Sequence, residues 1–115
     1  MNGNEKLAPL RKGLLEFVVL KVIAAEKVYA ADILRQLGQT EFETQEGTLY
    51  PLLSKLRREE LVDYEWKESE AGPPRKYYML TPLGAAQLRE TEDYWQKLIQ
   101  TMRGLDRDKA RTTKP

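Results

Sequence analysis

Between Gly47 and Arg58 the chain reads Gly-Thr-Leu-Tyr-Pro-Leu-Leu-Ser-Lys-Leu-Arg-Arg. Leu49, Leu52, Leu53 and Leu56 fall at the spacing that places side chains on one stripe of an α-helix, facing a core. The rest of the surface carries Thr48, Tyr50, Pro51, Ser54, Lys55 and Arg58, which supply hydroxyls, a phenol and cations without one carboxylate. The chemistry on offer is recognition of a polyanion, because phosphates are met by Lys and Arg, by hydroxyls and by helix N-termini. An amphipathic helix with a solvated face has the same pattern, so this stretch alone leaves both readings open. A second pair of cations, Arg75 and Lys76, follows Gly72-Pro73-Pro74. Prolines lower the chain entropy lost when such a pair is held against a phosphate, although plain solvated charges would look alike.

Other chemistries find little support. The chain has neither cysteine nor histidine, which removes disulfides, thiolate nucleophiles, imidazole bases and the usual zinc ligands. Glu59 and Glu60 are adjacent and therefore point apart on a helix, with no partner base in evidence. The expectation is a protein without enzymatic activity, metal or cofactor.

With 115 residues, 41% hydrophobic and 32% charged, the sequence supports one domain with a modest core. Its net charge of +1 counts against a nucleic-acid partner. The charges are segregated, however, with acids concentrated between the two basic groups, from Glu59 to Glu70. The longest apolar run, Leu14 to Ala25, is broken by Glu16 and Lys21 and is too short to span a bilayer, so no membrane partner is expected. Nor does the N-terminus read as a signal peptide.

The elements that must position these residues can be read in order. Residues 1–6 are expected to fray. A helix from about Leu10 to Glu26 is apolar on nearly every side, so one face should pack on its own domain and another, through Leu15 and Val18, on a second copy. A short extended segment at Lys27–Tyr29 leads to a helix over Ala30–Leu37, closed by a left-handed Gly38. After a loop, the basic helix begins near Glu46–Thr48, capped by Thr44 or Thr48, because Pro51 is tolerated only in or near a first turn. Leu61–Lys67 alternates, with Val62, Tyr64 and Trp66 on one side. Glu70–Pro74 is a turn by composition, and Arg75–Leu80 is a second strand. Thr81-Pro82 opens a long helix whose Leu88, Trp95, Leu98, Met102 and Leu105 form a seam with Ile99 beside it. With little of its own chain left to cover it, this seam should meet a second subunit. The expected fold class is mainly α with a small β-hairpin: a winged helix-turn-helix over 1–81, a dimerisation helix over 82–105 and a mobile tail over 106–115.

The wording of several segments resembles the PadR family of bacterial transcriptional regulators. The resemblance rests on Glu46-Gly47-Thr48-Leu49-Tyr50-Pro51-Leu52-Leu53, Leu61-Val62, Trp66, Gly72-Pro73-Pro74-Arg75-Lys76-Tyr77-Tyr78, Leu80-Thr81 and Gly84. It implies a cytoplasmic homodimer, paired through its first and last helices, that represses genes on a near-palindromic double-stranded operator and releases it when a small-molecule inducer binds. DNA contacts are then expected from Thr48, Tyr50, Pro51, Ser54, Lys55, Arg58, Arg75 and Lys76, with Lys55 near base edges or backbone and Arg57 turned towards the flank. In some compact members a tryptophan on the last helix lines a cavity at the dimer axis and stacks on flat drug-like ligands; Trp95 looks like a match for it, although an indole on such a seam is most often interface packing. Leu10, Leu14, Phe17 and Glu92 or Asp93 are its expected neighbours. The chain departs from the family pattern in two places. Tyr29-Ala30-Ala31-Asp32 replaces an aromatic-Gly-Tyr segment, and Glu60 stands where a glycine commonly closes the recognition helix, so a different turn is expected there. A protein-interaction adaptor that has lost DNA is the alternative, favoured by the near-neutral charge and the acid-rich first wing strand.

Overall fold

The computed structural model describes residues 4–112. It comprises α1 (Asn4–Ala25), β1 (Val28–Tyr29), α2 (Ala30–Leu37), α3 (Glu46–Arg58), β2 (Val62–Ser69), β3 (Gly72–Leu80) and α4 (Pro82–Thr112). The strands form one antiparallel sheet in the order β1-β3-β2, and the β2–β3 hairpin is the wing of a winged helix-turn-helix. Where fraying was expected, Asn4–Lys6 is helical, and α1 runs through Pro9 at the loss of one backbone hydrogen bond near its free end. The hairpin also differs from expectation. Only Glu70 and Ala71 form the turn, while Pro73 and Pro74 lie within β3. They are tolerated because β1 pairs β3 only at Tyr77 and Tyr78, leaving the proline end of β3 as an outer strand beside an irregularity between Lys67 and Ser69.

The core is a single cluster. Leu49, Leu53 and Leu56 from α3 meet Val19, Leu20 and Ile23 from α1, Ile33 and Leu37 from α2, and Val28, Val62 and Tyr78 from the sheet. Leu52 completes the stripe at its half-buried edge. Gly38 closes α2 in ordinary right-handed geometry, φ −63° and ψ −22°, rather than the left-handed form expected of it. A Cβ there would lie 3.3 Å from the carbonyl oxygens of Leu34 and Arg35, a tight contact that a shift of a few tenths of an ångström would relieve.

The left-handed residue is Glu60, at φ 64°. The end of α3 is closed by two backbone bonds, Leu61 N–H to Leu56 O at 3.0 Å and Glu60 N–H to Arg57 O at 2.9 Å. This is the Schellman arrangement, which normally takes glycine at that position. The strained residue is held by the start of α4. The Thr81 hydroxyl donates to Glu60 O at 2.6 Å and accepts the Gly84 N–H at 2.9 Å, and Thr81 N–H reaches Leu61 O at 3.1 Å. Contact is so close that a Cβ on Gly84 would sit 1.9 Å from Leu61 O.

After its first turns, which pack on the body, α4 projects from it, and the molecule measures 71 × 37 × 21 Å. At 1.5 Å per residue, its 31 residues span about 46 Å. The helix continues through Thr112, past Leu105 where a mobile tail was expected, and residues 113–115 lie outside the described ones.

Glu60→Gly is expected to stabilise the fold by about 0.5–1 kcal/mol, because relief of left-handed strain exceeds the added entropy of the unfolded chain. Gly84→Ala is expected to destabilise it by about 3 kcal/mol through overlap with backbone. Urea denaturation of the two variants beside the wild type measures both.

Candidate nucleic-acid interface

The outer face of α3 carries Thr48, Tyr50, Pro51, Ser54, Arg57 and Arg58, all exposed, with Tyr50 48% accessible. Gln45, rather than Thr44 or Thr48, is the N-cap, and it makes no side-chain capping bond, so the Thr48 hydroxyl has no capping duty. The loop ahead of α3 is fixed from α1. Arg11 donates through Nε to Glu41 O at 2.8 Å and through Nη2 to Glu43 O at 3.1 Å. Sequence reasoning missed this clamp, which nothing local to either segment announces.

Lys55 departs from its expected place. Its Nζ lies 2.8 Å from Glu16 Oε2 on α1 and 3.3 Å from Glu59 Oε2, so it braces α3 against α1. The hydrogen bond it donates to Glu16 is the largest influence raising its pKa, opposed by desolvation and supported by Glu59. The ammonium thus faces α1 and the end of its own helix, with the side chain 44% exposed. Arg58, in contrast, forms no ion pair among the described residues and is exposed on the wing side of α3.

Arg57 turns to the flank, as its position suggested. Its Nε is 3.2 Å from Asp63 Oδ1, and its guanidinium lies 4.4 Å from the centre of the Tyr64 ring. Tyr64 N–H, and after it Arg57, hold the Asp63 carboxyl below the ordinary aspartate range. The strand register sets the remaining wing cations on rings. Trp66 faces Lys76 and Tyr64 faces Tyr78 across the hairpin. Lys76 Nζ is therefore 4.6 Å from the Tyr64 ring and 5.6 Å from that of Trp66, while Arg75 is 5.3 Å from Tyr29 and Lys67 5.0 Å from Tyr77. Tyr77 packs on Tyr29 at 4.9 Å, and burial pushes the Tyr78 phenol up, consistent with hairpin packing for both.

Two grooves flank the exposed side of α3. One, of about 620 Å³, runs from Ser54, Arg57 and Arg58 to Tyr64, Lys76 and the start of α4. The other, of about 440 Å³, lies between Tyr29 at the head of α2, Tyr50 and the wing residues Trp66, Pro74, Arg75 and Lys76. Tyr50, Ser54, Arg58, Arg75 and Lys76 thus border one continuous region of surface, and Lys55 is outside it.

The residues expected around Trp95 are not gathered into a cavity within one subunit. Glu92 pairs with Lys21, Leu10 is 57% exposed, Leu14 is half-buried, and Phe17 lines a groove of about 420 Å³ with Glu16, Lys55 and Thr91. Trp95, Leu98, Met102 and Leu105 form an exposed stripe, with Ile99 half-buried at its side. Leu88 corrects the expected seam: at 6% exposure it belongs to its own core, because the first two turns of α4 still pack on the body. Leu15 and Val18 also rest partly on that core.

Asp63 has a depressed pKa in the folded state, so its stabilising effect is present above the ordinary aspartate value, about 3.9, and is lost as pH falls below it. Asp63→Asn should therefore be less stable than wild type near pH 6, and the gap should close towards pH 3. Thermal unfolding at both pH values checks the sign.

The model of the transcriptional regulator PadR-like family matches residues 19–90. A crystal structure of a PadR-like transcription factor from Bacteroides fragilis is 43% identical, with 89% of this chain and 98% of that chain covered and a TM-score of 0.77. A PadR-like transcriptional regulator from Bacillus cereus is 37% identical over 82% of this chain and 92% of its own, with a TM-score of 0.73. A PadR family regulator from Eggerthella lenta is 31% identical over 89% of each chain, with a TM-score of 0.77.

Proposed function

The chain belongs to the PadR-like family of transcriptional regulators, and from that premise we propose that it is a homodimeric repressor of the cytoplasm that binds double-stranded operator DNA. The observation that carries this reading is that Tyr50, Ser54 and Arg58, on the exposed face of α3 beyond the single carboxylate of its first turn, Glu46, lie alongside the wing cations. α3 enters a major groove with Thr48, Tyr50 and Pro51 at its leading end, and Ser54 and Arg58 meet the backbone beside it. Arg75 and Lys76 on the wing take the neighbouring phosphates. Lys55, held by Glu16, sets the angle of α3 on α1 instead of touching DNA.

The partner subunit covers the apolar stripe of α4, Trp95, Leu98, Met102 and Leu105, together with Leu7 and Leu10 on the projecting end of α1. A pair joined in this way spaces two copies of α3 by about one helical turn, ~34 Å. An inducer acts at the same seam. A flat ligand stacked on Trp95 and bordered by Leu10, Leu14, Phe17 and Glu92 lowers affinity for the operator by preferring a spacing unlike the DNA-bound one, since a ligand shifts an equilibrium only through differential affinity. A second reading, a protein-binding adaptor, is favoured by Glu59, Glu60, Asp63 and Glu65, which line the exposed border of α3 and β2.

Arg58→Ala and Lys76→Ala should each weaken binding to the upstream region of the protein's own gene and reduce the slope of log affinity against log salt by about one. Lys55→Met should leave that slope unchanged. Titrations at several salt concentrations decide the matter: wild-type slopes in both alanine variants contradict the assignment. Leu98→Asp should shift the protein from dimer to monomer in sedimentation, and an unchanged mass would refute the proposed seam.

A further inference from the structure

The groove between Tyr50 and the wing has a composition that duplex recognition does not require. A phosphate backbone asks for cations and hydroxyls, yet this groove of about 440 Å³ is walled by the rings of Tyr29, Tyr50, Trp66 and Tyr78. Its charged residues are Arg75 and Lys76, both cationic. Trp66 is 62% exposed on the wing and contributes little to the core, whereas Tyr78 behind it is 5% exposed and forms a fixed floor. Lys76 stands opposite Trp66 in the strand register, so a cation and an open indole are presented together. Ring faces beside cations are what an unpaired nucleotide needs, because stacking takes the base and the cations take its phosphate.

We propose that this groove binds a nucleotide whose base is not paired in a duplex, the base stacking against Trp66 and Tyr50 and the phosphate facing Arg75 and Lys76. A paired base hides its faces in the helical stack and offers none to the indole, so this is a second binding mode, additional to the operator reading and not dependent on it. The same chemistry is presented by a single-stranded stretch and by a free nucleotide. A regulator with such a groove distinguishes opened from closed nucleic acid, or responds to a nucleotide that occupies part of its own wing cleft.

The test uses the full chain with Trp95→Phe, which leaves Trp66 as the sole reporter of the two tryptophans in the sequence. Three probes are titrated: a thymidine octamer, an abasic octamer of equal charge, and thymidine monophosphate. The thymidine octamer should quench Trp66 and the abasic one should not. Trp66→Leu should weaken the labelled octamer about tenfold in anisotropy, within the range for one base on one ring, and more than it weakens the duplex, for which only one of the ring contacts of Lys76 is lost. Quenching by the monophosphate that matches the octamer assigns the groove to free nucleotides; quenching by the octamer alone assigns it to single strands. Equal quenching by the abasic chain, no quenching by any probe, or an unweakened octamer in Trp66→Leu overturns the proposal. Duplex titrations run in parallel separate the two readings, since loss of operator binding with octamer quenching intact contradicts only the operator reading.

Discussion

The structure depends on the union of the end of α3 with the start of α4. Glu60 is held in left-handed geometry, a conformation that disfavours any residue with a Cβ, by about 1–2 kcal/mol. It persists because both sides of the turn are bonded: α3 supplies the carbonyls of Leu56 and Arg57, and Thr81 bonds to the carbonyls of Glu60 and Leu61. Gly84 then allows the two backbones to come within a distance that no side chain could share. One hydroxyl, that of Thr81, serves two helices, as the N-cap of α4 through Gly84 and as the tie on the C-terminal turn of α3. The helix with the candidate DNA-reading face and the helix with the exposed apolar stripe are therefore joined at their ends without an intervening flexible linker.

Charge is organised by the same economy of contacts. The net charge of +1 is poor support for a polyanion partner when taken as a sum. The fold changes its meaning by deciding which cations are engaged. Lys55 is drawn to Glu16 and Glu59, and Arg57 to Asp63, while Arg58, Arg75 and Lys76 have no carboxylate partner among the described residues. Those three border the grooves beside α3. Arg75 and Lys76 rest on aromatic rings, a contact worth about 0.5–1 kcal/mol at exposed sites. Such a contact preorganises a cation without neutralising it, and a carboxylate partner would have done the opposite.

Much of this was legible in the sequence because the signals were local. The leucine spacing located α3, Thr81-Pro82 located the start of α4, and strict alternation located β2 with Tyr64 and Trp66 on one face. Misreadings arose where a distant group decides the outcome. Glu60 was expected to avoid left-handed geometry, because Thr81, 21 residues away, could not be seen holding it. Lys55 read as a free cation because Glu16, 39 residues away, gives no local sign of its approach. Leu88 fits the heptad spacing of the seam, but spacing cannot say where along a helix its own body ends and open surface begins. The prolines at the hairpin suggested a turn, and only the short reach of β1 explains why a strand could hold them.

The joint at Thr81 also limits how a signal at the seam can reach the proposed DNA-reading face. A ligand near Trp95 would lie 14 residues along α4 from Thr81, about 21 Å at helical rise. Because α4 is continuous between those points and is tied to α3 at its start, a tilt imposed at the seam is carried to α3 as rotation of one body. A local loosening of the wing is not required. Since α1 is braced to α3 through Glu16 and Lys55 and to α4 through Lys21 and Glu92, relative movement of α3 and α4 within a subunit would break ion pairs on both sides. Exposed pairs of this kind are individually weak, so they resist such movement less than the backbone joint does. In the proposed dimer the direction of least resistance therefore lies between subunits, where the spacing of the two α3 helices changes while each keeps its internal geometry.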